Sequence, residues 1–301
     1  MKIIIIIAVI GFVMPMLFAD TGINISKHVT YNDKVVIENA AGYVKVTGWA
    51  EDKLSVTGSY GPGIDNIEIV EDGDTIRIKT KYKQDRNGIP IDFNAPGMKG
   101  MIEIKINDNS SVDVTTVSAG IDIIKMKNDI KAESTSGEID IKGSLAEINA
   151  KNTEGDIEIS GNAKKLSVVT VSGMLRLNGD FKDVKAVTVN GKIFFEGNNS
   201  ENMTFNTTTG KIEIECFNIS GSNIIVESIS GRVEFITRKN LSARYKLESF
   251  SGKINISANN KKLIKKSSGS YRTIEFESGT PPRSSIGIRT LSGNVDIRNL
   301  Y

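Results

Sequence analysis

Apolar and polar residues alternate in short runs along residues 116–297, and each run follows a turn that contains a glycine. Nine runs align on this pattern, for example STSGEIDI at residues 134–141 and TVNGKIFF at residues 188–195. Alternation with a period of two predicts half-buried β-strands joined by tight turns. The first apolar position after the turn falls at residues 121, 139, 157, 175, 193, 212, 233, 254 and 295, which gives a repeat of 18 to 21 residues and a last step of 41.

A second strand keeps step with the first one. Its first apolar position falls four residues before the start of the aligned runs from residue 134 onward, at residues 130, 148, 166, 184, 203, 224, 245 and 286. A unit of two short strands cannot bury its own apolar face, whereas stacked units bury a continuous column. The sequence therefore predicts an all-β fold, a parallel β-helix (β-solenoid) of about 18–21 residues per coil, with neighbouring strands roughly 4.8 Å apart.

The turns also form columns. Their middle position is apolar in six of nine repeats, so we expect it to point into the core and its two neighbours to point out. The middle positions are Val117, Thr135, Thr153, Val171, Val189, Thr208, Ile229, Phe250 and Leu291. The turn glycines are expected at corners with positive φ, where a Cβ would clash. They are Gly137, Gly155, Gly173, Gly191, Gly210, Gly231, Gly252 and Gly293.

Residues 20–107 lack the strict repeat but are rich in alternating segments. Asp72-Gly73 between two such segments predicts a hairpin, and residues 83–100 predict a polar loop. We expect a single solenoid domain at residues 20–301. Residues 20–107 form its irregular first coils and cap, residues 108–301 its regular repeats, and an insertion lies near 258–285.

Residues 1–19 have the pattern of a secretory signal peptide. One lysine precedes an apolar run of 16 residues, and the small residue Ala19 stands before the polar Asp20. The run is shorter than the about 20 residues that a transmembrane helix needs. We expect a signal-peptide helix that is cleaved after Ala19, with an uncleaved anchor as the alternative. The mature chain would then be exported (periplasmic, cell-surface or secreted) and have no transmembrane span.

Composition excludes several classes of function. Lys and Arg total 38 against 36 for Asp and Glu, a balance unlike that of nucleic-acid-binding domains, so no nucleic-acid partner is expected. One cysteine excludes an intrachain disulfide and a cysteine-based zinc site. The single histidine, His28, argues against catalysis by a Ser-His-Asp or Cys-His arrangement. The sequence indicates no cofactor.

Three segments carry a resemblance to a known family. They are VKVTGWAEDKLSVTGSYG at 44–61, IEIVEDGDTIRIKT at 67–80 and IEIKINDNSSVDVTTVSAGIDI at 102–123. Together with the recurring Ser-Gly-x-Ile-x-Ile motif, they resemble the bacterial β-strand-repeat "putative adhesin" family, an exported domain of unknown function. The resemblance covers roughly residues 35–300 and implies a right-handed parallel β-helix. It implies no catalytic residues, because none is established for the family.

An acidic cluster is expected on the outward side of the early coils. It consists of Asp122, Glu138, Asp140, Asp156 and Glu158. Like charges one strand apart repel, so a cation such as calcium could offset them. The alternatives are an ordinary solvated face and, least favoured, a carboxylate pair for glycosidic chemistry.

A basic cluster and a hydroxyl-rich column complete the candidates. Lys261, Lys262, Lys265 and Lys266 in the insertion could bind an anionic polymer such as an envelope glycan, or could lie in a solvated loop. The column from Thr116 to Thr290 that precedes the middle turn position could bind sugars or ice. We expect its hydroxyl groups instead to cap the turn amides.

These observations favour a non-enzymatic, exported, adhesin-like β-solenoid that presents an extended binding face at the cell surface or envelope. Its partner would be an envelope glycan, an anionic polymer or a surface protein. A β-helix enzyme acting on polysaccharide and a structural envelope component that stacks end to end are the alternatives.

Overall fold

The computed structural model of the protein describes residues 3–5, 21–30, 33–61, 63–84, 100–143, 146–238, 241–257, 262–268, 271–279 and 283–300. All regular elements in these ranges are β-strands, and so the described residues include no helix that is long and apolar enough to cross a membrane. The chain divides into two compact units, Met1–Ala146 and Glu147–Tyr301.

The strands of the first unit are β1 (Ile3–Ile5), β2 (Thr21–His28), β3 (Lys34–Asn39), β4 (Tyr43–Trp49), β5 (Lys53–Tyr60), β6 (Ile64–Asp72), β7 (Thr75–Tyr82), β8 (Gly100–Asn107), β9 (Ser111–Thr116), β10 (Gly120–Ile124), β11 (Ile130–Ser134) and β12 (Ile139–Lys142). The strands of the second unit are β13 (Glu147–Glu154), β14 (Ile157–Ser172), β15 (Leu175–Thr188), β16 (Ile193–Gly197), β17 (Asn202–Thr207), β18 (Ile212–Cys216), β19 (Asn223–Ser228), β20 (Val233–Arg238), β21 (Ala243–Ser249), β22 (Ile254–Ser257), β23 (Lys262–Ser268), β24 (Tyr271–Ser278), β25 (Ser284–Thr290) and β26 (Val295–Leu300).

In the first unit, coils of two strands stack through parallel pairing. β3 pairs with β9 and β9 with β11, while β4 pairs with β10 and β10 with β12. On their other side, β3 and β4 pair in parallel with β7 and β8. The first coil therefore lies between two coils that both follow it in the sequence.

Antiparallel strands complete the first unit. β6 and β7 form a hairpin at Asp72-Gly73, with Gly73 at a φ of 60°, so the hairpin predicted from the sequence is confirmed. β5 pairs antiparallel with β8, and β2 pairs antiparallel with β5. β1 pairs antiparallel with β6. The described part of residues 1–19 is thus a strand and not the expected helix, which fits three successive β-branched isoleucines. The rest of the predicted signal peptide lies outside the described residues.

In the second unit, the strands pair in the register that the sequence repeat predicts. β13, β14, β15, β17 and β19 pair in parallel one after another, and the second strand of each coil continues through β16, β18 and β20. Ile157 pairs with Leu175, and Ile193 with Ile212, as the aligned sequence positions require. The parallel β-solenoid arrangement within the unit is therefore confirmed, while the right-handed sense of the coil stays a prediction.

The C-terminal coil is not the outermost one. β25 pairs in parallel with β19 on one side and with β21 on the other, and β26 lies in the same way between β20 and β22. The hairpin of β23 and β24, formed by the insertion, pairs antiparallel with the remaining edge of β21. The last sequence step is 41 residues long because the chain forms this hairpin first and then returns between two existing coils.

The core consists of stacked inward columns. Isoleucine, leucine and valine dominate them, and four phenylalanines are fully buried in the second unit, namely Phe181, Phe195, Phe205 and Phe235. The rings of Phe195 in β16 and Phe205 in β17 have centroids 5.3 Å apart in a tilted arrangement that aromatic pairs favour.

Candidate functional site

The middle positions of the turns lie on the surface, which contradicts the prediction that they point inward. The apolar side chains at these positions are 40 to 54% exposed. They are Val117, Val171, Val189, Ile229, Phe250 and Leu291. Thr135 and Thr153 are also exposed, and Thr208 is half-buried. Six of the nine turns therefore present an apolar residue to solvent.

The preceding position, predicted to point outward, is buried instead. Its nine residues are at most 8% exposed, and they are Thr116, Ser134, Asn152, Thr170, Thr188, Thr207, Ser228, Ser249 and Thr290. The cause is a repeated hydrogen bond within the turn. The backbone N–H of Gly191 donates to Thr188 Oγ1 at 2.9 Å, and that of Gly210 donates to Thr207 Oγ1 at 3.0 Å. A hydroxyl group that caps an inward-facing amide must itself point inward, so the next side chain points out.

The turn glycines are required by close stacking more than by their φ angles. Only Gly155 and Gly173 of the eight have positive φ, so that prediction is wrong for the other six. A Cβ added to Gly210 would lie 1.4 Å from the carbonyl oxygen of Gly191, and one added to Gly231 would lie 1.7 Å from that of Gly210. Glycine permits neighbouring coils to approach this closely at the corner.

The middle turn residues of the second unit from Val171 onward form one continuous row. Their buried neighbours pair rung to rung, Thr170 with Thr188 and onward to Thr207, Ser228, Thr290 and Ser249. The exposed side chains consequently stack in the spatial order Val171, Val189, Thr208, Ile229, Leu291 and Phe250, and we call this row the corner ladder. The intercalated C-terminal coil places Leu291 between Ile229 and Phe250, although it comes last in the sequence.

A groove of about 550 Å³ runs beside the corner ladder. Val189, Ile229 and Phe250 belong to one wall, and the outward strand residues Glu227 and Arg289 line the other side. Tyr271 of β24 also lines it, so the hairpin of the insertion contributes to the site. The groove is therefore largely aliphatic along one side and carries charged and aromatic groups near the C-terminal coils.

One carboxylate beside the groove pairs with two cations. Glu248 Oε1 lies 3.0 Å from Lys246 Nζ, and Glu248 Oε2 accepts a hydrogen bond from Arg289 Nε at 3.0 Å. Burial alone would raise the pKa of the Glu248 carboxyl, but hydrogen bonds from Lys246, Arg289 and Tyr271 lower this pKa below its ordinary value. Glu248 is thus held as a carboxylate that fixes both cations.

A row of small polar residues follows the other side of the corner ladder. It contains Ser172, Asn190, Thr209, Ser230, Ser292 and Ser251, of which all but Ser172 are exposed. Ser230 Oγ donates to the carbonyl of Thr208 at 3.2 Å, and Ser292 Oγ donates to that of Ile229 at 3.4 Å. These hydroxyl groups keep oxygen lone pairs available on the surface.

The acidic residues predicted as a cation site divide between the two units. In the first unit, Asp122 and Asp140 are register neighbours, and one carboxylate oxygen of each is buried without a hydrogen-bond partner. Lys142 pairs with the other oxygen of Asp140 at 2.5 Å, while Glu138 is exposed. Burial, together with the Asp122 carboxylate, raises the pKa of the nearby Tyr43 hydroxyl.

The second unit holds the other two acidic residues of that prediction. Glu158 pairs with Arg176 at 3.1 Å, and Asp156 Oδ1 accepts a hydrogen bond from the backbone N–H of Met174 at 2.7 Å. Within the described residues, no group of three or more His, Cys, Asp or Glu side chains is arranged to hold a metal ion. The cation site stays a prediction.

The predicted basic cluster is only partly described. Lys261 lies outside the described residues, and Lys262, Lys265 and Lys266 belong to β23, of which the backbone alone is described. Sequence reasoning placed the contact surface on this insertion and missed the corner ladder. The recurring Ser/Thr-x-x-Gly spacing was the available signal, because it identifies the residue that must turn inward to cap the glycine amide.

Comparison with known proteins agrees with this architecture. The family model described as Toastrack DUF4097 matches residues 30–298. A structure named "putative adhesin" from Parabacteroides distasonis aligns with a TM-score of 0.52 and 8% identity over 94% of this chain and 98% of that one. One of the same name from Parabacteroides merdae gives 0.52 and 8% over 93% and 96%. No curated protein matches the chain. The chain therefore belongs to the Toastrack DUF4097 family, whose function is unknown.

Proposed function

We propose that the protein is a non-enzymatic, exported, adhesin-like protein that binds a cell-envelope component or a neighbouring surface through the corner ladder. Export after cleavage of residues 1–19 and a right-handed coil are parts of this proposal. The names of the two similar structures agree with an adhesin-like role.

The observation that carries the proposal is the exposure of the corner ladder. The large apolar side chains that are exposed in the described part of the second unit are Val171, Val189, Ile225, Ile229, Phe250, Tyr271 and Leu291. Five of them belong to the corner ladder, and Tyr271 lines the adjacent groove. Single exposed apolar residues are common, but five of them aligned along one corner, interrupted by Thr208, favour an interaction surface.

The surroundings of the acidic residues favour binding over catalysis. Glu158 is neutralised by Arg176, and Asp156 is engaged with a backbone amide, so neither carboxylate is held for acid–base chemistry with a sugar. Glu248, which pairs with Arg289 of the groove, has a lowered pKa and two cationic partners. A general acid would need a raised pKa instead.

A co-sedimentation assay with envelope fractions of the native host tests the proposal. The ladder variant combines Ile229→Ser, Leu291→Ser and Phe250→Ser, and the control variant combines Tyr43→Ser with Met101→Ser, which are comparably exposed in the first unit. We expect the ladder variant to bind at least about tenfold more weakly, and the control to bind like the native chain. Equal binding by both variants would overturn the proposal.

Export is tested separately. Amino-terminal sequencing of the protein purified from the native host should begin at Asp20. A mature pool that begins at Met1 would contradict cleavage after Ala19.

A further inference from the structure

We propose that the ligand of the corner ladder is a linear, uncharged polysaccharide that lies along the groove. This inference rests on the proposed function above and names the class of its partner.

The shape of the site fits a narrow, extended chain. The corner ladder occupies successive rungs from Val189 through Thr208, Ile229 and Leu291 to Phe250. Four steps of roughly 4.8 Å make this row about 19 Å long. Two side-chain columns make it on the order of 10 Å wide, an area of about 200 Å². A stable interface between two proteins buries about 800 Å² on each partner, so a second copy of the chain would find too little surface here.

The chemistry of the two borders matches that of a sugar chain. Sugar rings have apolar C–H faces and polar edges, and the site offers aliphatic and aromatic side chains next to a row of hydroxyl groups. Phe250 is 51% exposed and Tyr271 is 38% exposed, so both aromatic rings can contact the C–H face of a sugar ring. Ser230 and Ser292 on the other border can accept hydrogen bonds from ring hydroxyl groups.

The charge of the groove favours a neutral ligand. Glu248 pairs with both Lys246 and Arg289, and Glu227 interacts with Arg289 from the same groove, so these four groups carry two charges of each sign and leave no net positive charge for an anionic polymer. A lipid acyl chain would lie against the charged groups of Glu227 and Arg289 in an open groove. It would therefore gain little of the free energy that transfer of an apolar chain out of water provides.

An added peptide strand does not fit either. Strand addition needs free backbone groups at a sheet edge. The amides of the corner ladder are already used between coils: Thr208 donates to Val189 O, Leu291 to Ser228 O and Phe250 to Thr290 O, each at 3.2 Å. The side chains are thus the available recognition groups at this corner.

Isothermal titration calorimetry with four neutral hexasaccharides tests the inference. The probes are cellohexaose, laminarihexaose, maltohexaose and chitohexaose, and at least one should bind with a Kd between about 1 μM and 1 mM. Phe250→Ala and Ile229→Lys should each weaken that binding at least about tenfold. The matched control is Phe194→Ala, since Phe194 is an outward aromatic residue in a separate pocket with Lys192 and Arg176.

Several outcomes would overturn the inference. They are an absence of binding by all four probes, unchanged binding by both ladder variants, and tight binding of hexagalacturonate or phosphatidylglycerol vesicles at the same side chains. Self-association that disappears in Ile229→Lys would identify a second copy as the ligand instead. If envelope binding is lost in the ladder variant but no hexasaccharide competes for it, the polysaccharide is wrong and the proposed function stands. If envelope binding survives in that variant, both are wrong.

Discussion

Two columns of side chains at the corner of the second unit lie one residue apart and have opposite environments. Thr188, Thr207 and Ser249 are at most 6% exposed, whereas their successors Val189 and Phe250 are at least 40% exposed. Hydrophobicity alone would place these residues the other way round. The difference shows that hydrogen bonding decides which side chain enters the core at such a tight turn.

The energies of the two choices explain this result. A buried backbone N–H without a partner costs about 1–3 kcal/mol, and the hydroxyl of the buried column removes that cost for the turn glycine. Fully burying a valine side chain gains about 1.5–3 kcal/mol, and a side chain that remains about half covered forgoes roughly half of this. Capping therefore matches or exceeds the loss, and the exposed apolar side chain becomes available to a ligand.

The largest loss of stability is expected when Gly210, one of the glycines whose N–H the buried column caps, is replaced by alanine. Gly210→Ala should destabilise the protein by about 3 kcal/mol or more, because the new Cβ would lie 1.4 Å from the carbonyl oxygen of Gly191. Urea denaturation of this variant and of Thr209→Ala measures it. The neighbouring substitution should change the free energy of unfolding by less than about 1 kcal/mol. Equal midpoints for the two variants would show that the coils do not stack this closely.

A second substitution tests the cap itself. Thr188→Val keeps the shape of the side chain but removes the acceptor for the Gly191 N–H, so we expect a loss of about 1–3 kcal/mol. The urea midpoint again measures the loss, with Thr204→Val on the half-buried outward face of β17 as control. If Thr188→Val is neutral or stabilising, the hydroxyl does not determine which column is buried.

The pH dependence of stability tests the ion pairs of Glu248 beside the groove. The pKa of Glu248 is lower in the folded chain than its ordinary value, so this carboxylate stabilises the fold above pH about 4.3, and the contribution is lost as the pH falls through the folded pKa. The stability difference between the native chain and Glu248→Gln should therefore shrink from pH 7 to pH 3. Urea midpoints across this range measure it. A constant difference would mean that Glu248 has no lowered pKa.

The smallest effect is expected in the exposed column. Val189→Asp should lower the free energy of unfolding by at most about 1.5 kcal/mol, because the carboxylate stays in solvent and only the burial of a half-covered valine is lost. Thermal denaturation measures the stability of this variant and of Val187→Asp, whose position on the outward face of β15 is half-buried. A loss of several kcal/mol at Val189 would restore the inward orientation predicted from hydrophobicity.

The register of the coils could be predicted from the sequence because alternation and spacing are local properties. The same positions pair in the structure, such as Ile193 with Ile212. The direction of the turn residues could not be inferred from hydrophobicity, because the N–H of Gly191 and its cap at Thr188 outweigh the burial of Val189. The Ser/Thr-x-x-Gly spacing carries that information in hydrogen-bonding terms.

The order of the coils could not be predicted either. A repeat that is detected along the chain suggests that neighbours in sequence are neighbours in space. In the structure, β25 lies between β19 and β21, and β3 lies between β7 and β9. β24 occupies one edge of β21 through antiparallel pairing, so β25 pairs with the other edge. The groove depends on this return, since it places Leu291 beside Phe250 and Tyr271.

Cysteine accessibility tests the central claim most directly. The only native thiol, Cys216, is buried, and burial raises its pKa, so it reacts slowly with thiol reagents in the folded chain. The variants Val189→Cys and Thr188→Cys differ by one position and can be labelled with a maleimide under native conditions. We expect rapid labelling at position 189 and protection at position 188 until the protein is unfolded. Faster labelling at position 188, or equal rates at both positions, would contradict the exposed corner ladder.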